Sequence, residues 1–177
     1  MGVDRSYVAG NDTARARLKA LVAGMSDAQL GHPMPAGWTV AGVLAHLAFW
    51  DQRVLALLER WERGGAPPLP PNAADVDWIN DAAKPLMLAL PPRRAAEIAL
   101  AVAEAVDRKL ETLPDDLVAR NAATGSPLNF ARADHRRQHL DEIERAIPPI
   151  EREDVESSLG RSALNTSRHA SVSSPGD

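Results

Sequence analysis

The chain has 177 residues, 45% of them apolar, with a formal net charge of -4 and a pI near 5.7. This length and composition predict one domain with a hydrophobic core, and the acidic balance argues against a nucleic-acid-binding protein. No apolar run reaches the roughly 18 residues of a membrane span, and the N-terminal residues lack the apolar core of a signal peptide, so we expect a cytoplasmic protein. The sequence contains no cysteine, which excludes disulfides, thiolate metal sites and a catalytic thiol.

The first half of the chain predicts two long helices. Asn11 is the predicted N-cap of the first, because apolar residues follow it at helical spacing. Residues 26–29 read Ser-Asp-Ala-Gln, a capping box that predicts a short turn of helix. Thr39 is the predicted N-cap of the second long helix, which ends near Arg63 before a pair of glycines. The apolar stripe of this helix contains one polar residue in its first half, His46.

The next part of the chain predicts shorter helices and then a third long one. Residues 72–90 indicate one or two short helices that break near Pro85. The third long helix is predicted from about Arg93 to Leu113, where apolar residues recur at helical spacing. A loop is predicted from there through Gly125.

Ser126 and Pro127 are typical of an N-cap and a first helical position, so they predict the start of a fourth long helix that ends near Ile147. Residues 151–177 are rich in Ser, Arg and Glu without a sustained period, which predicts a disordered or weakly structured polar tail after a domain spanning residues 1–150. Strand signals are nearly absent. The predicted fold is therefore all-α, a four-helix bundle with short extra helices between the second and third long helices.

Two histidines, His135 and His139, lie four residues apart in the fourth predicted helix and so project from the same face. Counted from the predicted starts at Thr39 and Pro127, His46 lies about 10 Å along its helix and the pair about 12 and 18 Å along theirs. The second and fourth helices of an alternating bundle run in the same direction, which would place the three histidines at similar depth. The sequence thus contains a candidate histidine triad for a metal ion.

Three histidine ligands leave a coordination position open, where a divalent ion lowers the pKa of bound water to roughly 7 or activates a substrate thiol. Zinc and nickel both suit imidazole ligands. The spacing does not match the metalloprotease motif, which needs glutamate where Arg136 stands. On spacing alone, a chance histidine pair on a solvated helix face is the alternative interpretation. The carboxylates available to accept the second N–H of a ligand are Asp51, Asp81, Asp134 and Glu142.

Two further expectations concern residues near the predicted triad. Trp38, Trp50 and Trp61 are expected to pack in the core or against a helix start, because they accompany apolar residues of the second helix. The alternation of Arg and Glu from Arg136 to Arg152 predicts a solvated helix face.

Two motifs resemble a known family. Residues 37–40, Gly-Trp-Thr-Val, with residues 44–47, Leu-Ala-His-Leu, resemble the opening motif of the DinB/YfiT-like superfamily. Residues 135–143, which carry the histidine pair followed by Leu140 and Ile143, resemble its closing motif. The span from Trp78 to Leu117 is similar in layout to the N-terminal domain of mycothiol-dependent maleylpyruvate isomerase. The resemblance covers about residues 12 to 150.

The resemblance implies a four-helix bundle and a divalent metal held by His46, His135 and His139. Because some members act on low-molecular-weight thiols such as mycothiol, it also implies a thiol-dependent transferase or isomerase with a small-molecule substrate. Residues 48–50, Ala-Phe-Trp, are similar to a cyclopropane-hydrolase branch, so the second hypothesis is a metal-independent hydrolase of a strained or electrophilic small molecule. The third is a non-catalytic bundle that dimerises or binds a ligand. No catalytic residue is assigned, no nucleic-acid or membrane partner is expected, and the apolar faces are compatible with a homodimer.

Overall fold

The computed structural model describes residues 2–65 and 69–147, so the predicted tail at residues 151–177 lies outside the described residues. The described residues form helices joined by short connections, with one two-stranded antiparallel sheet that pairs Pro33 with Thr39 and Met34 with Trp38. In chain order the elements are α1 (Tyr7–Ala23), α2 (Asp27–Leu30), β1 (Pro33–Met34), β2 (Trp38–Thr39), α3 (Val40–Glu62), α4 (Ala73–Leu88), α5 (Pro92–Glu111), α6 (Asp115–Ala123) and α7 (Arg132–Ala146). The predicted all-α class is confirmed.

The four long helices α1, α3, α5 and α7 bury their apolar faces against one another. Asn11 near the start of α1 contacts Ala133 near the start of α7, so these two helices run parallel. Lys109 near the end of α5 forms an ion pair with Glu62 at the end of α3, so these two also run parallel. Parallel neighbours need a connection that returns along the bundle, and α4, of 16 residues or about 24 Å, supplies it.

The predicted start of α3 is confirmed. Thr39 Oγ1 accepts a hydrogen bond from the Gly42 amide at 3.0 Å and so satisfies one of the free N–H groups at the helix start. The predicted capping box is also present, because Ser26 Oγ accepts from the Gln29 amide while Gln29 Oε1 accepts from the Ser26 amide.

The predicted cap at Asn11 is wrong, since α1 begins at Tyr7. Asn11 lies inside the helix and is 2% exposed. Its side-chain amide donates to the Phe130 carbonyl and accepts from the Ala133 amide, both at 2.9 Å. Asparagine is a common helix cap, but Asn11 instead joins α1 to α7, because its side-chain amide satisfies backbone groups at the start of α7.

The predicted start of the fourth long helix is also wrong. Ser126 has a positive φ of 54° and α7 begins only at Arg132. The predicted loop before it contains α6, whose first turn carries Asp115 and Asp116 behind Pro114. The sequence predicts no helix here, but acidic residues in a first turn stabilise a helix start.

The predicted break near Pro85 does not occur, because α4 continues through Pro85 to Leu88. Asn72 and Asp75 form its capping box. A proline inside a helix lacks the N–H group for one backbone hydrogen bond. Pro85 lies in the last turn of α4, so only the end of the helix is affected.

By length and composition alone, α3 could cross a membrane, with a mean hydropathy of 1.2 over an 18-residue window. Of that window, 67% is buried inside the structure, and core helices of soluble proteins meet the same criterion. Asp51 and Arg53 interrupt its apolar sequence.

Candidate metal centre

The three predicted histidines lie together, His46 on α3 and His135 and His139 on α7. Their ring centroids are 4.8 to 5.2 Å apart. One nitrogen from each ring lies within 4.8 Å of the others, and the Nε2 atoms of His46 and His135 are 3.2 Å apart. The structure therefore brings every predicted ligand residue into one cluster, called the histidine triad below.

The reason for this convergence differs from the predicted one, because α3 and α7 run antiparallel. His46 contacts His139, and Asp51 contacts Arg132. The residue that comes first on α3 therefore contacts the one that comes later on α7. His46 lies six residues after the start of α3, about 9 Å, and His139 seven residues before the end of α7, about 10 Å. The prediction of parallel helices with matched starts was wrong, although the depths still agree.

Burial keeps two of the histidines neutral. Burial, with a smaller contribution from the neighbouring His139, lowers the pKa of His46 to about 4 and that of His135 to about 3. Arg132 also lowers the pKa of His135. Only neutral imidazole can bind a metal ion, so His46 and His135 are in the binding form at neutral pH.

Glu142 alone of the four candidate carboxylates accepts a hydrogen bond from the triad. His139 Nδ1 donates to Glu142 Oε2 at 2.7 Å, which leaves His139 Nε2 as the free ligand atom. Partial burial alone would raise the pKa of Glu142, but hydrogen bonds from His139 and Gln138 hold it below its usual value. Asp51 instead binds arginines, Asp134 pairs with Arg137, and Asp81 lies on the cavity wall.

The donor set fits a first-row metal ion. Metal–nitrogen distances near 2.1 Å at tetrahedral or octahedral angles place neighbouring nitrogens about 3.0 to 3.4 Å apart. The 3.2 Å between His46 Nε2 and His135 Nε2 lies inside that range. These two rings can share at most one proton between them, whereas an ion would use both lone pairs. The three histidines could thus bind a metal ion.

A family model described as the DinB superfamily matches residues 11–143. The chain belongs to the DinB superfamily. The matched segment contains the whole triad and most of the helices described above. No curated protein and no solved structure matches the chain. The predicted family is therefore confirmed, while the likeness to mycothiol-dependent isomerases stays a prediction.

In this DinB-superfamily protein the triad opens into a cavity of about 1250 Å³. Trp38 and Trp50 line it and lie edge-on to His46, with centroids 5.8 and 6.4 Å away. Trp50 Nε1 donates to Asn80 Oδ1 at 3.0 Å, which attaches the indole to α4. Trp61 alone of the three tryptophans is fully buried, as expected. Trp38 on β2 and Trp50 on α3 flank His46 in the sequence, and this position beside a predicted ligand is the signal that could have indicated their role.

A second buried polar cluster, the arginine–aspartate network, lies beside the triad. Asp51 accepts from Arg132 at 2.8 Å and from Arg136 at 2.8 and 3.0 Å. Asp107 accepts from Arg136 at 2.7 and 2.9 Å and from Arg15 at 3.0 Å. The network joins α1, α3, α5 and α7 through side chains.

The prediction that Arg136 begins a solvated face is wrong, because Arg136 is fully buried, at 0% exposure. Its hydrogen bonds and the charges of Asp107 and Asp51 outweigh the effect of burial and raise its pKa above the ordinary value. Arg136 follows His135 directly, so anchoring its guanidinium fixes the rotation of α7 and directs the two histidines of α7 toward α3.

Proposed function

We propose that this protein is a metal-dependent enzyme that acts on a small molecule, with the ion held by His46, His135 and His139. The observation that carries the proposal is the convergence of three histidine nitrogens within 4.8 Å at the wall of a 1250 Å³ cavity. Membership of the DinB superfamily supports it. A cavity of this size accommodates a small organic molecule.

Each residue of the site has a definable part in this function. A bound divalent ion supplies a Lewis acid that lowers the pKa of a coordinated water or thiol. Glu142 holds the Nδ1 proton of His139, which fixes the ring orientation and makes the nitrogen facing the site more basic. Trp38 and Trp50 provide apolar walls that exclude water around His46.

The finer parts of the proposal come from the sequence. The layout similar to mycothiol-dependent isomerases supports transfer or isomerisation chemistry that uses a low-molecular-weight thiol. Imidazole ligands support zinc or nickel. The charge and hydropathy patterns support a cytoplasmic protein without a nucleic-acid or membrane partner.

The proposal is tested by measuring bound metal. We expect about one zinc or nickel ion per chain in the full-length protein purified without a histidine tag and supplied with metal. Replacing His46, His135 or His139 by alanine removes a ligand and should abolish stoichiometric binding. His32→Ala is the matched control, since His32 lies outside the cluster, and should retain the metal. Full metal binding by all three triad variants, or none by the wild type, contradicts the proposal.

A second experiment separates the thiol-dependent enzyme from the metal-independent hydrolase. Turnover of electrophilic small molecules is assayed with and without an added thiol, on protein that carries metal and on protein stripped of it. The proposed function requires that both metal and thiol be present. Turnover that survives metal removal and needs no thiol favours the hydrolase.

A further inference from the structure

Arg132 is the feature of the cavity that neither the triad nor its Glu142 partner explains. Its side chain lines the cavity although the residue is only 6% exposed. One side of the guanidinium is anchored, because Nε donates to Asp51 Oδ1 at 2.8 Å. Nη2 lies 3.5 Å from His135 Nδ1, and within residues 2–65 and 69–147 Nη1 makes no hydrogen bond. A nearly buried cation thus keeps N–H donors directed at the cavity.

The contact with His135 does not satisfy these donors when the triad binds an ion. A neutral imidazole carries one proton, and ligation through Nε2 places it on Nδ1. His135 Nδ1 then becomes a donor itself and cannot accept from Arg132. The free N–H groups of Arg132 are open to the cavity, so their acceptor there is water or a bound molecule.

The charges around Arg132 favour an anion as that acceptor. Arg132 and Arg136 share the carboxylate of Asp51, and Arg15 and Arg136 share that of Asp107, while Arg15 also pairs with Asp12. Arg53 lies close enough to Arg132 for the two charges to repel, so four arginines stand against three carboxylates, and the imidazoles add no negative charge. The carboxylate on the triad, Glu142, is engaged by His139. Asp77 and Asp81 of α4 also line the cavity, but both are exposed and their charges are screened by solvent.

We propose that Arg132 binds a carboxylate of the substrate beside the histidine triad. The planar guanidinium, held on one side by Asp51, presents parallel N–H donors that match the two oxygens of a carboxylate. This inference deepens the proposed function, on which it rests: the substrate carries one group for the ion and a carboxylate for Arg132.

The first test needs no metal. Proton–nitrogen correlation spectra of the arginine side chains are recorded on metal-free, full-length protein, and the Arg132 Nε–H signal is assigned by its loss in Arg132→Lys. Millimolar acetate should shift that signal saturably, whereas the uncharged isostere acetamide should not. No saturable response to acetate, or an equal response to acetamide, overturns the proposal, and either result leaves the metal measurement unaffected.

The second test uses zinc-loaded protein and two thiols of similar size, mercaptoacetate and 2-mercaptoethanol, titrated by calorimetry. One charge-assisted interaction corresponds to about a tenfold preference for mercaptoacetate. Arg132→Gln should reduce the preference to near unity without loss of zinc, while Arg137→Gln, an exposed arginine on the same helix, should retain it. An unchanged preference in Arg132→Gln overturns the inference. If the wild-type protein does not bind zinc, the proposed function is contradicted. The acetate titration of the metal-free protein then still decides the role of Arg132.

Discussion

The two buried polar clusters of this protein lie side by side between α3 and α7 and differ in how completely their groups are paired. In the arginine–aspartate network, Asp51 and Asp107 each accept from two arginines, at distances of 2.7 to 3.0 Å. In the triad, His46 Nδ1 is buried without a partner among the described residues, and two imidazole nitrogens face each other at 3.2 Å. The two carboxylates of the network are satisfied within the protein, whereas the nitrogens of the triad are not.

This difference separates a structural cluster from a functional one. Buried charges stabilise a fold only when each has its partners, and Asp51, Asp107 and Arg136 meet that condition. Buried histidines that lack partners cost stability, and a ligand that binds them recovers it. The adjacent network holds α7 in place while the triad remains open to a ligand. The predictions below test whether the two clusters separate in this way.

The largest effect is expected from breaking the network at its centre. Arg136→Ala leaves both Asp51 and Asp107 buried with fewer partners, so we expect the free energy of unfolding to fall by about 3–5 kcal/mol. Urea denaturation measures this change. Arg137→Ala alters the next residue, which is exposed, and should change stability by less than about 0.5 kcal/mol. Equal losses in both variants would remove the structural role assigned to the network.

Acidification should destabilise the metal-free protein through the triad. The folded-state pKa values of His46 and His135, about 4 and about 3, lie below the unfolded value near 6.5. The unfolded chain therefore binds more protons as pH falls below about 6.5, and stability decreases toward pH 4. Between pH 7 and pH 5 each histidine contributes about 2 kcal/mol of this loss. Urea denaturation across pH should give a flatter dependence for His135→Gln than for wild type or His32→Gln, and an identical slope for all three would argue against the burial of neutral His135.

Metal should stabilise the protein through the triad and leave the network unchanged. Zinc at one hundred times its dissociation constant adds about 2.7 kcal/mol to the free energy of unfolding. Thermal denaturation with zinc and with a chelator measures the gain, which His46→Ala should abolish. In Arg137→Ala, which retains both clusters, the gain should equal that of wild type. A gain that persists in His46→Ala would place the ion elsewhere.

The sequence predicted which side chains form the triad but not how the helices bring them together. The spacing of His135 and His139 and the apolar stripe around His46 specify faces, because helical periodicity is a local property. Helix direction depends on the connections, and α4 makes α3 and α5 parallel, which no local pattern indicated. The depths agreed despite the wrong direction because His139 lies seven residues from either end of α7.

Side chains whose role depends on distant partners could not be placed from the sequence. Arg136 sits in an Arg/Glu-rich segment typical of a solvated face, and its burial requires Asp51 and Asp107 from two other helices. Asn11 has the residue type of a cap, yet the backbone groups it satisfies belong to residues more than 100 positions away. By contrast, local patterns correctly predicted the helix start at Thr39, because its hydroxyl and the Gly42 amide that it binds are only three residues apart.

The smallest effect is expected at Glu142, the one carboxylate that joins the triad. Glu142→Gln keeps the side-chain shape but weakens the acceptor for His139 Nδ1–H, so zinc affinity should fall about 10- to 100-fold with little change in metal-free stability. Competition with a chromophoric chelator measures the affinity. Glu144→Gln is the matched control, since Glu144 pairs with Arg17 on the far side of α7 and should leave zinc affinity unchanged. If both variants bind zinc as wild type does, the contact of Glu142 with His139 is a surface ion pair, and the triad acts without a carboxylate partner.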